Sequence, residues 1–440
     1  MIIYSEIKNG SQSLYVKTLL DSSGKVTQKR TIRMPLYHID IENFTYYILY
    51  DETMHPNGHF FKYMNHSLRN TPYNTRHKHA TALRLLFCFL SLSNLDINEI
   101  DSHNLSELIT FLRGIDINPK SYSMQTSRSG DTVNGYLSVY RNYFTMNSIS
   151  CPPLFRSHIY QDHNKYDNNI TTSTSNIVPR YISPEEFRLI YNLSIQKKDR
   201  LAKIILYLLY VYGLRLGEVL GLTTEDIAEI QTKKGLVPVL ILRNRISDKK
   251  FQYAKNLPHA ISPKDYKSKD YIDSYSLPKA RIPISYQIYE EILDYIETFH
   301  SIAINNYPKN YAKGIADIVS NRNRPDTNHY VFLSRYGGIL TDQTWNNSLR
   351  NYFIEARIPL DYDVRKNNLS HRFRHGFAMF HAKYSKHPLG PVELRDVMRH
   401  KSINSTMIYY NPTLEDEYEI KTEFQKEFIS MIPELKDELE

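Results

Sequence analysis

The sequence predicts a mainly α-helical protein with small β elements, divided into several domains, and three observations carry that prediction. At 440 residues the chain is too long for one hydrophobic core, so two or three domains are expected. Apolar residues recur at helical spacing over most of the chain after about residue 60, whereas before it they alternate in short runs between turn signals. Hydrophobic residues make up 41% and charged residues 23%, the balance of a soluble globular chain.

Taken in order, residues 1–60 alternate in SLYVKTLL, TIRMPLYHID and FTYYILYD, with turns at Asp21–Gly24 and Pro56–Gly58, and predict a small β-rich module. Helical spacing over 75–95, 97–113 and 132–146 predicts a compact helical domain, 61–151. Residues 152–178 are rich in Asn, Ser, Thr and Asp and read as a linker. Ser183-Pro184-Glu185-Glu186 then gives a helix start: an N-cap serine, proline at the first helical position and glutamate at the third. A second large domain, 179–412, is expected to hold helices over 184–196, 199–212 and 217–221, a strand at 237–242, a lysine-rich excursion, a helix at 286–300, and mostly helix after 341. Residues 413–440 read as an acidic helix. There Ile420, Phe424, Phe428 and Met431 form one apolar stripe, which suggests a contact between protomers.

Composition also excludes. The longest apolar runs, Leu201–Leu214 and Leu83–Leu95, carry Lys203 and Arg84 and fall short of a bilayer span. Without a sustained apolar segment near Met1, a cytoplasmic location is expected, with no membrane partner. Cys88 and Cys151 are too few for a disulfide framework and should be buried thiols. The net charge is +8, yet Leu414–Glu440 carries ten acids and three lysines, net −7, so the preceding 413 residues hold +15. Such a field suits the phosphates of nucleic acid. Residues 242–281 alone hold ten basic and four acidic side chains, which points to phosphate contact there.

Three clusters could do chemistry. In Gly213-Leu-Arg215-Leu-Gly217-Glu218, an arginine ends an apolar helix and needs a partner, either Glu218 or an external anion. In His371-Arg372-Phe373-Arg374-His375, His371 and Arg374 share one helical face and can converge on a phosphate. A metal site on His371 and His375 is disfavoured by the arginines beside them. Near the end, His400 and Tyr409 lie nine residues apart. Two arginines, histidines and a late tyrosine are the parts needed to cleave a phosphodiester without a metal: guanidiniums neutralise charge, imidazoles move protons and a phenol attacks phosphorus.

In order and spacing these clusters resemble the tyrosine recombinase (phage integrase) family. GLRLGEVLGL matches its first-arginine box, His371–His375 its HxxRH box, and Met398–Tyr409 its LGHxxIxxTxxY box. Weaker matches are Pro179–Phe187, Phe332–Gly338 and Thr132–Arg141, so the resemblance spans roughly 60–412. Departures are Met398-Arg399 for the usual Leu-Gly, Ser405 for Thr, and Asn411 where His is frequent.

The resemblance implies a multidomain DNA clamp: an arm-binding-like module, a helical core-binding domain and a mixed α/β catalytic domain. It makes Tyr409 the nucleophile, Arg215 and Arg374 phosphate clamps, His371 and His400 proton-handling groups, and Glu218 a buttress for Arg215. The family's hairpin lysine falls among Lys249, Lys250, Lys255, Lys267 and Lys269, with Lys255 favoured and Lys249 second. The implied partners are double-stranded DNA with specific sites, further copies in a tetrameric synapse, and a DNA-bending accessory protein; no cofactor is implied. The implied reaction is strand exchange through a 3′-phosphotyrosyl link, serving integration or excision of a mobile element. A type IB topoisomerase-like enzyme and a catalytically silent DNA-binding regulator are the alternatives.

Overall fold

The computed structural model describes residues 2–9, 12–41, 44–114, 126–160, 163–170, 178–245, 248–258, 260, 264–272, 280–312, 329–335, 337–360, 369–412, 416, 418 and 421–423. The chain forms two compact units, Met1–Thr174 and Ser175–Glu440. Helices predominate in both, with small sheets of two or three strands. No helix among the described residues is long and apolar enough to cross a membrane.

In the first unit β1 (Ile2–Asn9), β2 (Gln12–Leu20) and β3 (Val26–Ile32) form an antiparallel sheet, and β4 (Leu36–Ile41) pairs with β5 (Phe44–Leu49). The run expected as a single strand through Pro35 is two strands, because proline cannot donate to a ladder. Two helices, α2 (Tyr73–Ser93) and α3 (Ser102–Arg113), follow the short α1 (Gly58–Lys62), and α4 (Gly130–Met146) completes the layer. Tyr4, Tyr15 and Ile32 from the strands share one core with Leu83, Phe89, Phe111 and Leu137 from the helices. Cys88 and Cys151 are buried free thiols in that core. Within the segment read as a linker lie a short helix, α5 (Pro152–Phe155), and a hairpin, β6 (Ser157–Tyr160) with β7 (His163–Tyr166).

The second unit opens with α6 (Pro184–Gln196), whose capping box closes as the sequence predicts. The Glu186 backbone N–H donates to Ser183 Oγ at 3.1 Å, and the Ser183 N–H donates to Glu186 Oε2 at 2.9 Å. The most apolar helix, α7 (Arg200–Val211), buries Ile204, Ile205, Leu208 and Leu209 at the centre of the core. After α8 (Leu216–Leu220) come β8 (Ile227–Thr232) and β9 (Gly235–Ile241), joined by β10 (Arg281–Pro283) in an antiparallel sheet of order β10-β9-β8. A short α9 (Lys269–Ile272) lies in the excursion, and α10 (Tyr286–Ala312) runs longer than expected. Then α11 (Asp342–Glu355) is tied to α12 (Leu369–Met379) where Trp345 Nε1 donates to Ser370 Oγ at 2.9 Å. Toward the end of the unit lie α13 (Pro391–Val397) and α14 (Asn404–Met407). The stripe expected on Ile420, Phe424, Phe428 and Met431 lies outside the described residues.

The excursion between β9 and β10 is clamped at its stem. Arg243 Nε donates to Asp226 Oδ1 at 2.9 Å, and Arg245 Nη2 donates to the same oxygen at 2.6 Å and to Glu225 at 3.0 Å. Two of the ten basic residues expected to meet phosphate are thus held in internal ion pairs. Asn244 fastens the next turn, its amide donating to the carbonyls of Ala254 at 3.1 Å and Pro258 at 3.0 Å while its oxygen accepts from the Ala254 N–H at 2.7 Å.

One backbone position steers the chain toward the site. Gly213 turns out of α7 at φ +56, and a Cβ there would lie 2.5 Å from the Phe377 ring. Gly213→Ala therefore meets both left-handed strain and a clash, and should destabilise the second unit by about 2–4 kcal/mol. Denaturant unfolding of the whole chain, followed by Trp345 fluorescence, would show it; an unchanged midpoint would refute the packing argument.

Candidate active site

After Gly213 the backbone straightens at Arg215 (φ −76, ψ 150) before entering α8. Glu218, at the third helical position, folds back and accepts the Arg215 backbone N–H at 2.8 Å and the Arg215 Nη1–H at 2.7 Å. Arg399, from the turn after α13, donates through Nη2 to Glu218 Oε2 at 2.7 Å, and Arg374 Nη1 stands 4.0 Å from that oxygen. The Arg374 guanidinium also donates to the carbonyls of Gly213 and Met398. One carboxylate and one guanidinium thus fasten the α7–α8 turn, α12 and the α13–α14 turn together.

Burial alone would push the Glu218 carboxyl up. Arg399, Arg374 and Arg215 outweigh burial and hold it down at about 2. Burial pulls Arg374 down to about 9, opposed by Glu218, so it still carries its charge at neutral pH. Three guanidiniums around one carboxylate leave a surplus of positive charge, which is the electrostatic signature of an anion site.

Histidines line the same region. His371 and His375 lie on successive turns of α12 with rings stacked 5.4 Å apart. His375 Nδ1 is 2.7 Å from the Tyr409 hydroxyl. The His400 ring stacks near Tyr409 at 6.4 Å, and its Nδ1 lies 2.9 Å from Thr406 Oγ1. Burial, reinforced by neighbouring cations, lowers His375 to about 3 and His371 and His400 to about 4, so all three rings are neutral at physiological pH. Tyr409 is 2% exposed; burial pushes its hydroxyl up to about 12, against the opposing pull of Arg374 and Arg215. Tyr410 is committed elsewhere, donating to the Leu389 carbonyl at 2.6 Å.

The residues expected from the sequence therefore fall around Glu218. Arg215, His371 and Arg374 line one cleft with Lys250 and Ser370. Lys255 and His400 line the adjoining cleft with Glu218, Arg399 and Lys401. Tyr409 joins through His375 and His400. Lys249 lines neither cleft; its backbone N–H caps the following turn by donating to Gln252 Oε1 at 2.7 Å.

Two residues of the cluster were not assigned a role from the sequence. His375 was legible as the i+4 neighbour of His371, a spacing weighed only for a metal. Arg399 read merely as a departure from glycine. It adopts φ +55, which costs a non-glycine residue about 1–2 kcal/mol, and its Nε is buried without a hydrogen-bond partner.

The His375 geometry has a pH signature. Its pKa of about 3 in the folded chain lies below the ~6.5 of an unfolded histidine, so the unfolded state binds more protons between these values. Stability should fall as pH drops from about 6.5, by at most about 1.4 kcal/mol per unit for this one group. Melting temperatures of the unmodified chain and His375→Gln, measured from pH ~6.5 down to ~4.5, should show the shallower decline in the variant. Parallel declines would mean that His375 is not held neutral.

No family model and no curated protein matches the sequence. Among solved structures, the chain is similar to a XerA recombinase (14% identity, 84% of this chain and 98% of that one, TM-score 0.33). It is also similar to the XerH site-specific recombinase bound to palindromic difH substrate in a post-cleavage complex (16% identity, 80% of each chain, TM-score 0.46). A third is the Tn1549 transposon integrase in complex with transposon right-end DNA (15% identity, 83% of this chain and 98% of that one, TM-score 0.44). At identities of this size no residue role passes from those chains to this one.

Proposed function

We propose that this chain is a site-specific DNA recombinase of the tyrosine type, acting on double-stranded DNA to integrate or excise a mobile element. The observation that carries the reading is the contact between the Tyr409 hydroxyl and His375 Nδ1, beside guanidiniums that outnumber their carboxylate. A nucleophile, a proton acceptor and an anion site are the minimum for attack on a phosphodiester.

Arg215 and Arg374 hold the non-bridging oxygens. The Tyr409 oxygen bonds to phosphorus as its proton passes to His375 Nδ1, the ring hydrogen residing on Nε2. The bond from phosphorus to the 5′-oxygen breaks, and Lys255 supplies that oxygen with a proton, leaving a 3′-phosphotyrosyl link and a 5′-hydroxyl. A 5′-hydroxyl from the partner strand then attacks the link and Tyr409 recovers its proton. The number of phosphoester bonds is unchanged, so ATP does not enter the balance. In the free chain the phenol, at about 12, cannot protonate an imidazole at about 3. Bound phosphate adds negative charge that raises the basicity of the imidazoles, and the forming P–O bond acidifies the phenol. Strand exchange between two duplexes calls for several protomers, in this reading a tetramer on DNA, with His371 and His400 orienting the phosphate.

Tyr409→Phe should bind a nicked duplex carrying the DNA that flanks its own gene, yet form no covalent adduct, while Tyr410→Phe retains the adduct on a denaturing gel. The reverse pattern would move the nucleophile to Tyr410. Relaxation of supercoiled DNA without recombinants would favour the topoisomerase reading.

Lys255→Ala should slow cleavage by about 10²–10⁴-fold, and a 5′-bridging sulfur in the substrate should restore it, because a thiolate leaves without a proton. Rescue of Lys249→Ala but not of Lys255→Ala would shift the acid to Lys249.

A further inference from the structure

Arg399 has no part in the chemistry above, yet the site converges on it. Its backbone is left-handed and its Nε is buried without a partner; a glycine would remove both penalties, so its side chain must contribute something the backbone does not. Two side-chain contacts show what. Nη2 donates to Glu218 Oε2 at 2.7 Å and reaches the Gly213 carbonyl at 3.5 Å, which fixes the carboxylate and leaves Oε1 to Arg215. The turn that carries Arg399 is also tied at its backbone, where the Arg399 carbonyl accepts from Asn256 Nδ2 at 3.4 Å, next to Lys255. Directly before Arg399, the Met398 carbonyl accepts from Arg374, and directly after it stands His400.

We propose that Arg399 is a positioning residue which, through Glu218, orients the Arg215 guanidinium toward the phosphate and holds the Lys255–His400 cleft in register with the Arg215–His371 cleft. This rests on the recombinase reading. Among the charges on Glu218, Arg399 is also the largest of the influences holding its carboxyl down. A mere structural brace would affect folding and binding alone; a positioning residue also slows the chemical step once the duplex is bound, and only while Glu218 is there to transmit it.

The experiment compares the unmodified chain, Arg399→Gly, Arg399→Lys, Glu218→Gln and the double variant Arg399→Gly/Glu218→Gln. Each is measured for melting temperature, affinity for a nicked duplex carrying the DNA that flanks its own gene, and single-turnover adduct formation on it. Arg399→Gly takes one guanidinium from Glu218, so it should melt lower and bind more weakly despite the relieved backbone, while adduct formation at saturating duplex falls by about 10²-fold, the scale of a small misplacement at a reacting centre. Arg399→Lys should recover part of that rate, and in the Glu218→Gln background the loss of Arg399 should add little. Cleavage by Arg399→Gly at the unmodified rate, or losses from the two sites that multiply, would overturn the proposal. If Arg399→Gly does not fold, Arg399→Gln is judged by the same criteria. Absence of adduct from the unmodified chain overturns the recombinase reading and this inference with it; adduct from both chains at equal rate overturns this inference alone.

Discussion

The buried Glu218 carboxylate is the interaction on which the second unit's cleft region depends. It is local to Arg215, three residues away, and distant from Arg374 and Arg399, so the turn after α7 is fastened to the turn after α13 through a single pair of oxygens. A carboxylate this deep would cost several kcal/mol if left alone. It is tolerable only because guanidiniums surround it, and they are tolerable only because it is there. The backbone carbonyls of Gly213 and Met398, which accept from Arg374, widen the tie from charge to chain path. His375 and His400, which flank Tyr409, sit on α12 and beside Arg399, the segments that this arrangement joins.

The electrostatic state of the unbound site follows from the same feature. The histidines and Tyr409 are neutral, since burial pulls the former down and pushes the latter up, whereas the arginines keep fixed charge. The cluster is therefore unbalanced without an anion. In the proposed reaction a phosphodiester supplies the missing charge and in doing so changes the proton affinity of the imidazoles around it. On that reading recognition and activation are one electrostatic event, and the buried phenol stays unreactive until the anion arrives.

Much of this was legible in the sequence, and the pattern of what was not has a physical cause. The α6 capping box and the apolar stripe of α7 are local signals, set by residues a turn apart, and the structure places both where the spacing does. The clusters around Arg215, His371 and His400 were legible because each is compact in sequence. The strand Ile2–Asn9 and the hairpin Ser157–Tyr166 were missed because pairing partners, more than their own composition, make them strands. The charge of the excursion was legible but its use was not: Arg243 and Arg245 face Asp226 and Glu225 from across the sheet, a pairing no local pattern announces. Arg399 looked like a defect in a motif because its partner lies 181 positions earlier.

The Asn244 clamp separates two kinds of length within the excursion. Ala254 and Pro258 are pinned to the end of β9 by one amide side chain, so Lys255 sits on a short, closed loop whose ends are held in the core. The chain returns to the end of β9 at Ala280, whose carbonyl accepts from the Leu242 N–H at 2.6 Å. Length added to a connection whose two ends are already held costs only about 0.6 kcal/mol per doubling. Variation in the number of residues between Pro258 and Ala280 should thereby leave the Asn244 closure, and Lys255 within it, undisturbed.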